Sequence, residues 1–177
     1  NGSMELQLNA PSVTDTSYLV TETGILDFSS TVTWEFRINL LFSPSSSNSG
    51  RFYLCSNQEN LKGSLNGYYI RIGESGAVDK VKLYRQDGTS STLLATGIYG
   101  AYGVNPDARV RVTRDLAGNW LVEADSLGGS NFIFEAGVTD TDHTFSKYSG
   151  VWCKYTTSNS VNFIFDDISI KQLLFFL

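Results

Sequence analysis

The stretch from Trp34 to Leu40 alternates without a fault: Trp34, Phe36, Ile38 and Leu40 are apolar, and Glu35, Arg37 and Asn39 between them are polar. Successive side chains of a β-strand point to opposite faces, so this pattern is a strand with one dry face and one wet face. A helix would scatter the same residues around its axis. The signature recurs at Arg51 to Cys55, Gly67 to Gly73, Lys80 to Gln86, Ala108 to Arg114, Trp120 to Asp125, Asn131 to Ala136, Gly150 to Tyr155 and Val161 to Ile170. Earlier strands are read at Glu5 to Asn9 and Tyr18 to Val20. Helical periodicity is almost absent.

Turn chemistry falls between these runs. Asp87-Gly88, Asp115 to Asn119 and Gly128-Gly129-Ser130 each read as the bend of a hairpin, because glycine and Asx residues tolerate the backbone that tight turns need. Ser43 to Gly50 reads as a polar loop, too short to link two domains. Many short strands with regular turns predict an all-β fold of two antiparallel sheets packed face to face. A chain of 177 residues is long enough to bury about 70% of its unfolded surface, so one core suffices. The expected domain is 1–170. Residues 171–177, ending in Leu173-Leu174-Phe175-Phe176-Leu177, form an apolar tail that reads as an additional edge strand or as an edge covered by a neighbour.

Charge and cysteine usage exclude several functions. The formal net charge is −5, which repels phosphate backbones and makes nucleic acid a poor partner. The one basic series, Arg109, Arg111 and Arg114, reads as a solvated sheet face. No apolar run approaches the ~20 residues of a membrane span, and no signal peptide is visible. Cys55 and Cys153 both sit in apolar strand-like runs and read as buried thiols, the alternative being a disulfide. Zinc spacing is lacking.

Catalytic patterns are incomplete. Glu123-Ala124-Asp125 places two carboxylates on one strand face, half of a Glu-x-Asp…Glu glycosidase motif; glycines stand where the second glutamate would follow. The pair therefore reads as a wet strand face entering a turn. His143 lies in the polar loop Thr139 to His143 with no nucleophile elbow in the chain, and reads as a solvated loop histidine.

Binding patterns are richer. Opposite the apolar side of several strands stand rings and cations: Tyr53, then Tyr69 with Arg71, then Lys82 with Tyr84, then Trp152 with Lys154. Sugar rings offer C–H faces that stack on aromatics and hydroxyls that bond polar groups. Tyr53, Tyr69, Arg71, Tyr84 and Trp152 are therefore candidate ligand-binding residues. The competing reading is that these rings only pair across strands to stabilise the sheet.

Several blocks carry a family resemblance. They are Leu6 to Pro11, Trp34-Glu35-Phe36, Ser45 to Asn48, Leu65-Asn66-Gly67-Tyr68-Tyr69-Ile70-Arg71-Ile72-Gly73, Leu83-Tyr84-Arg85-Gln86-Asp87-Gly88, Val110 to Asp115, Gly118-Asn119-Trp120 and Phe165 to Ile168. Over nearly its whole length the chain resembles concanavalin A-like, laminin-G-like jelly-roll domains of large secreted Bacteroidetes surface proteins, which carry lamin-tail or adhesin-like modules. The apolar tail departs from that pattern. The resemblance implies a two-sheet antiparallel jelly-roll sandwich, a secreted or cell-surface location, and a recognition or adhesion role. It also implies a structural calcium, with Asp166 and Asp167 of the last strand as candidate ligands. Calcium takes six to eight oxygens, and neighbouring strand residues face opposite ways, so the pair supplies at most one direct ligand; the alternative is a turn cap beside a solvated carboxylate.

Three readings follow. The first is a non-catalytic module that binds glycan. The second is a structural or adhesion domain that contacts neighbouring protein domains. The third is a degenerate glycoside hydrolase, which would need Glu135 or Asp166 beside Glu123 and Asp125 in one cleft.

Overall fold

The computed structural model describes residues 5–74 and 78–172. Twelve strands carry the chain: β1 (Leu6–Gln7), β2 (Asp15–Leu26), β3 (Val32–Leu40), β4 (Ser49–Ser56), β5 (Leu65–Ile72), β6 (Lys82–Gly88), β7 (Ser90–Thr96), β8 (Asp107–Arg114), β9 (Asn119–Asp125), β10 (Ile133–Thr139), β11 (Ser146–Tyr155) and β12 (Phe163–Gln172). They form two six-stranded sheets. One runs β1-β12-β3-β8-β9-β10 and the other β2-β11-β4-β5-β6-β7. Neighbouring strands within each sheet are antiparallel. The expected all-β, two-sheet sandwich is the fold.

The three hairpins lie where the turn residues put them. Asp87 pairs with Ser90 across Gly88 (φ 64°), and Arg114 pairs with Trp120 across a turn containing Gly118 (φ 81°). Gly128 (φ 69°) turns the chain from β9 into β10. Only glycine enters this left-handed region without strain. β12 runs through Gln172; the apolar tail Leu173 to Leu177 lies outside the described residues.

The core lies between the sheets. Strand β3 alternates buried and half-buried along its whole length, as its sequence does. Phe36 of β3 stacks on Phe52 of β4 with ring centroids 4.0 Å apart, which ties one sheet to the other. Trp34 stacks on Trp120 at 5.7 Å, and Phe42 meets Phe163 at 4.8 Å. Burying each such side chain stabilises the fold by about 1.5–3 kcal/mol. Cys55 and Cys153 are free and belong to this core. Burial pushes both thiols up to about 12.

Arg114 brings a charge into the core. Arg114 shares the parity of Ala108, Val110 and Val112, so β8 points it inward rather than onto the solvated face with Arg109 and Arg111. Its guanidinium lies over the rings of Phe28 (4.4 Å) and Trp120 (5.6 Å) and donates to the Asp115 carbonyl at 3.2 Å.

Candidate functional site

Two outward faces compete for the role of a binding surface. On the β1-β12-β3-β8-β9-β10 sheet, polar residues meet their opposites. Arg37 donates twice to Asp107, at 2.7 and 2.6 Å. Arg109 and Arg111 share Glu35, at 2.6 and 3.1 Å. Burial alone would push the Glu35 carboxyl up, but the two guanidinium groups outweigh it and hold it below the usual carboxylate range.

The proposed metal ligands lie on this sheet and do not fit calcium. A bulge follows Asp166 in β12, and Asp167 takes a left-handed backbone (φ 51°). Its carboxylate faces Arg109 at 3.3 Å. Asp166 stands opposite Arg37 in the ladder and accepts the Asp167 backbone N–H at 2.8 Å. Guanidinium groups stand where a calcium ion would need more oxygens. Among the described residues, no group of three or more His, Cys, Asp or Glu is arranged to hold a metal ion.

The glycosidase carboxylates are not gathered either. Asp125 caps the β9–β10 turn, accepting the backbone N–H groups of Leu127 (2.9 Å) and Asn131 (2.8 Å), which hold it below the usual range. A general acid needs the opposite shift. Glu135 is fully buried and accepts the Tyr102 hydroxyl at 2.8 Å and the Tyr99 N–H at 3.1 Å. Asp166 is kept from Asp125 by Arg37 and Arg109, one on each intervening strand.

His143, expected to be solvated, is instead held. Its Nε2 lies 2.9 Å from Asp87 and 3.0 Å from the Gln86 carbonyl oxygen, and its ring meets the Tyr68 edge at 5.5 Å. Beside it Arg85 bonds Asp87 (2.9 Å), Asp140 (2.6 Å) and Asp142. The loop is pinned to the end of the sheet by charge.

The outward face of the other sheet is built differently. Parity divides its strands as the alternation predicts: Phe52, Tyr68, Ile70, Leu83 and Val151 enter the main core. Tyr53, Tyr69 and Trp152 turn the other way and form a second apolar cluster, with Tyr84 packed against it. The ladder lines up Tyr53, Tyr69 and Tyr84 as direct neighbours. Tyr69 stacks on Tyr84 at 5.1 Å and packs beside Tyr53 at 5.1 Å. In the adjacent row Trp152, Arg51, Arg71 and Lys82 stand side by side. The Arg51 guanidinium lies over both Trp152 (4.2 Å) and Tyr69 (4.6 Å).

These rings are not the open stacking platform expected of them. Tyr53 is 0% exposed, Tyr69 1% and Trp152 7%. The cause is the loop between β4 and β5. Ser56 bonds both the N–H and the carbonyl of Gln58, and Asn60 bonds the N–H of Lys62, which folds the loop back over the sheet. Leu61 comes down over Gly150, where a Cβ would lie 3.1 Å from its methyl group. Leu61 and Leu65 complete the cluster.

What stays open beside this lid is a cavity of about 330 Å³. Trp152, Tyr53 and Arg51 form its floor side, Leu61 and Lys62 the loop side, and Gln86 and Ser91 the far wall. The polar groups are positioned by one another. Arg51 donates to the Tyr53 hydroxyl at 3.2 Å, which donates to the Gln86 side-chain oxygen at 2.8 Å. Gln86 in turn donates to the Gly88 carbonyl at 2.9 Å. Burial pushes the Tyr53 hydroxyl up, so it remains a donor.

Of the five residues proposed from sequence, Tyr53 and Trp152 line this cavity and Tyr69 backs Arg51. Tyr84 lies one strand further and donates to Glu74 at 3.1 Å, and Arg71 turns to the Gly73 carbonyl at 2.9 Å. Arg51, Lys62 and Gln86 were missed. Arg51 carried a usable signal, since it stands two residues before Tyr53 and shares its face. Lys62 and Gln86 arrive only through the loop and the hairpin.

No protein-family model matches the chain, and no curated protein matches its sequence. Solved structures match its fold. The legume lectin-like domain from Entamoeba histolytica aligns with a TM-score of 0.66 at 12% identity, covering 96% of this chain and 84% of that one. The exoplasmic/lumenal domain of VIP36, solved with calcium and mannose, aligns at 0.69 with 12% identity, over 99% of this chain and 80% of that one. The carbohydrate recognition domain of Emp46p, solved metal-free, aligns at 0.69 with 15% identity, over 94% of this chain and 81% of that one. At such identities the likeness shows the fold: a legume-lectin-like β-sandwich.

Proposed function

We propose that this domain is a non-catalytic carbohydrate-binding module of a secreted or cell-surface protein, and that the cavity beside Trp152 is its sugar site. One observation carries the reading: an indole, a phenol, a guanidinium and an amide converge on one cavity over a rigid sheet. Sugars need an apolar face to stack on and fixed donors and acceptors around it. The solved structures that share the fold support the same class: one is a legume lectin-like domain, one an exoplasmic/lumenal domain with mannose bound, and one a carbohydrate recognition domain. Fold alone does not give function, so the cavity is what the test must address.

The test is a glycan-array screen of the purified chain, repeated with Trp152→Ala. Binding to a defined glycan that falls about tenfold or more in the variant is the expected result, as stacking on one ring is worth about 1–2 kcal/mol. Undiminished binding by a folded variant would move the site elsewhere. Loss of binding on chelation would place a metal at a site other than Asp166 and Asp167.

A second reading, contact with neighbouring protein domains, is favoured by the opposite edge of the sandwich. There the sheets part beside β1 and β2, and Leu6, Leu19, Val151, Phe165 and Ile170 line an apolar cleft. Leu19 is 55% exposed and Ile168 43%. Silence across the array from a folded domain would favour this reading.

A further inference from the structure

We infer that the cavity beside Trp152 selects an acidic sugar, one whose carboxylate or sulfate group pairs with Arg51. This deepens the sugar-site reading and rests on it. The argument begins with charge. The chain has 18 acidic residues and only 13 lysines and arginines, so cations should find partners easily. On the opposite sheet they do: Arg37, Arg109 and Arg111 each hold a carboxylate. Arg85 holds three.

Among the described residues, Arg51, Arg71 and Arg114 form no ion pair. Arg114 is 2% exposed in the core and lines no cavity. Arg71 lies in the field of Glu74, which is held below the usual carboxylate range, and of Asp79, which burial pushes up against the pull of Arg71. Arg51 lacks a carboxylate and borders the cavity beside Trp152. Its Nε is buried with no acceptor, and one terminal nitrogen is used on Tyr53. A guanidinium has five N–H donors, so most of its capacity is unspoken for.

The surroundings sharpen this. Trp152 and Tyr69 hold the guanidinium between their rings, which fixes its plane without neutralising it. The Tyr53 hydroxyl beside it is kept as a neutral phenol. On the rim, Lys62 pairs with Asp15 only at 3.8 Å, both side chains being well exposed. Such a pair is weak and readily exchanged for a ligand anion. A pre-positioned, unpaired guanidinium at the back of a cavity with an exposed ammonium at its mouth is an arrangement that suits an oxyanion. Trp152, 7% exposed, lines the same cavity, so the sugar that carries the anion would meet the small part of the indole left open.

The experiment is calorimetric titration of the full chain with trigalacturonate, with its methyl ester, with a sulfated N-acetyllactosamine and with mannotriose. The methyl ester keeps the sugar skeleton of the first probe and removes its charge, adding one methyl group per carboxyl. The expected result is that an acidic probe binds at least about tenfold more tightly than the neutral ones, and that added salt weakens it. Arg51→Gln should remove that preference, so that the acidic and neutral probes bind alike. Preference for the sulfated probe over the uronate, with the same dependence on Arg51, assigns the oxyanion as sulfate. Lys62→Glu, at the exposed rim, repeats the test without touching the ring layer, should Arg51→Gln not fold. Equal binding of trigalacturonate and its ester overturns the acidic-sugar inference and leaves the sugar site standing. Binding of none of the probes or array glycans by a folded chain overturns both.

Discussion

The two sheets of this sandwich are alike in strand number and in the core they share, yet their outward faces solve the polar problem in opposite ways. On the β3–β8 side, the outward arginines of β3 and β8 each meet a carboxylate on the next strand, Arg37 meeting Asp107 and Arg109 and Arg111 meeting Glu35. The face is electrostatically closed. On the β4–β5 side, rings replace the acids, a loop covers most of them, and Arg51 is left unpaired at a cavity. A face that satisfies itself has little left for a ligand. The proposed site rests on this difference more than on any single residue.

The comparison can be broken at the ring layer first. Tyr69 touches Tyr53, Tyr84 and Arg51 at once. Tyr69→Ala should cost about 3–5 kcal/mol of stability, the range for emptying a large aromatic site, read as a shift in the urea midpoint. On the closed face, an exposed ion pair contributes about 0–1 kcal/mol. If Tyr69→Ala proves as mild as that, the rings are not a second core and the cavity is not rigid.

The lid comes next. Leu61 is 2% exposed in a loop that is otherwise polar. Leu61→Ala should cost about 2–4 kcal/mol. It should also speed hydrogen exchange in the loop between β4 and β5, with the β3–β8 sheet unchanged. Uniform loss of protection across both sheets would show that the second cluster has no independence from the main core.

How far the sequence foretells this contrast depends on the range of the interaction. Strand parity is local, so alternation placed Phe52 and Tyr53 on opposite faces correctly and brought Tyr53, Tyr69, Tyr84 and Trp152 to one surface. The hairpins at Gly88 and Gly118 were legible because a positive φ favours a particular residue. Burial of the rings was not legible, since it depends on one leucine in a polar loop folding back across three strands. Bulges were also hidden. In β4 the ladder slips between Tyr53 and Cys55, so Leu54 and Cys55 both enter the core although they are adjacent. In β12 a slip after Asp166 sets Asp167 toward Arg109, and a calcium ligand inferred from resemblance becomes half of an ion pair. Arg114 is the reverse case: alternation with Val110 and Val112 already pointed it inward, but its charge argued for the surface.

Glu35 on the first face and Tyr84 on the second should lose their contributions at opposite ends of the pH scale, with Glu74, beside Lys82 and Tyr84 on the ring face, also acting at the acid end. Glu35 is held below its ordinary value of 4.5 by Arg109 and Arg111, although burial opposes them. A depressed folded value means that its contribution is present above about pH 4.5 and is lost as pH falls through the folded value. Glu74, held down by Lys82 and Tyr84 against its burial, adds to the same acid limb. On the ring face, burial pushes the Tyr84 hydroxyl from 10.0 up to about 12. A raised folded value contributes stability below pH 10 that is lost as pH rises toward 12. Urea midpoints measured from pH 3 to 11.5 should therefore separate the contributions of Glu35 and Tyr84. Glu35→Gln should flatten the acid limb and leave the alkaline one, and Tyr84→Phe should do the reverse. Because both side chains are partly exposed and screened, each change should be the smallest of those argued here. If Glu35→Gln altered the alkaline limb as well, the two faces would share one titrating network, and the electrostatic closure of the first could not be separated from the unpaired arginine of the second.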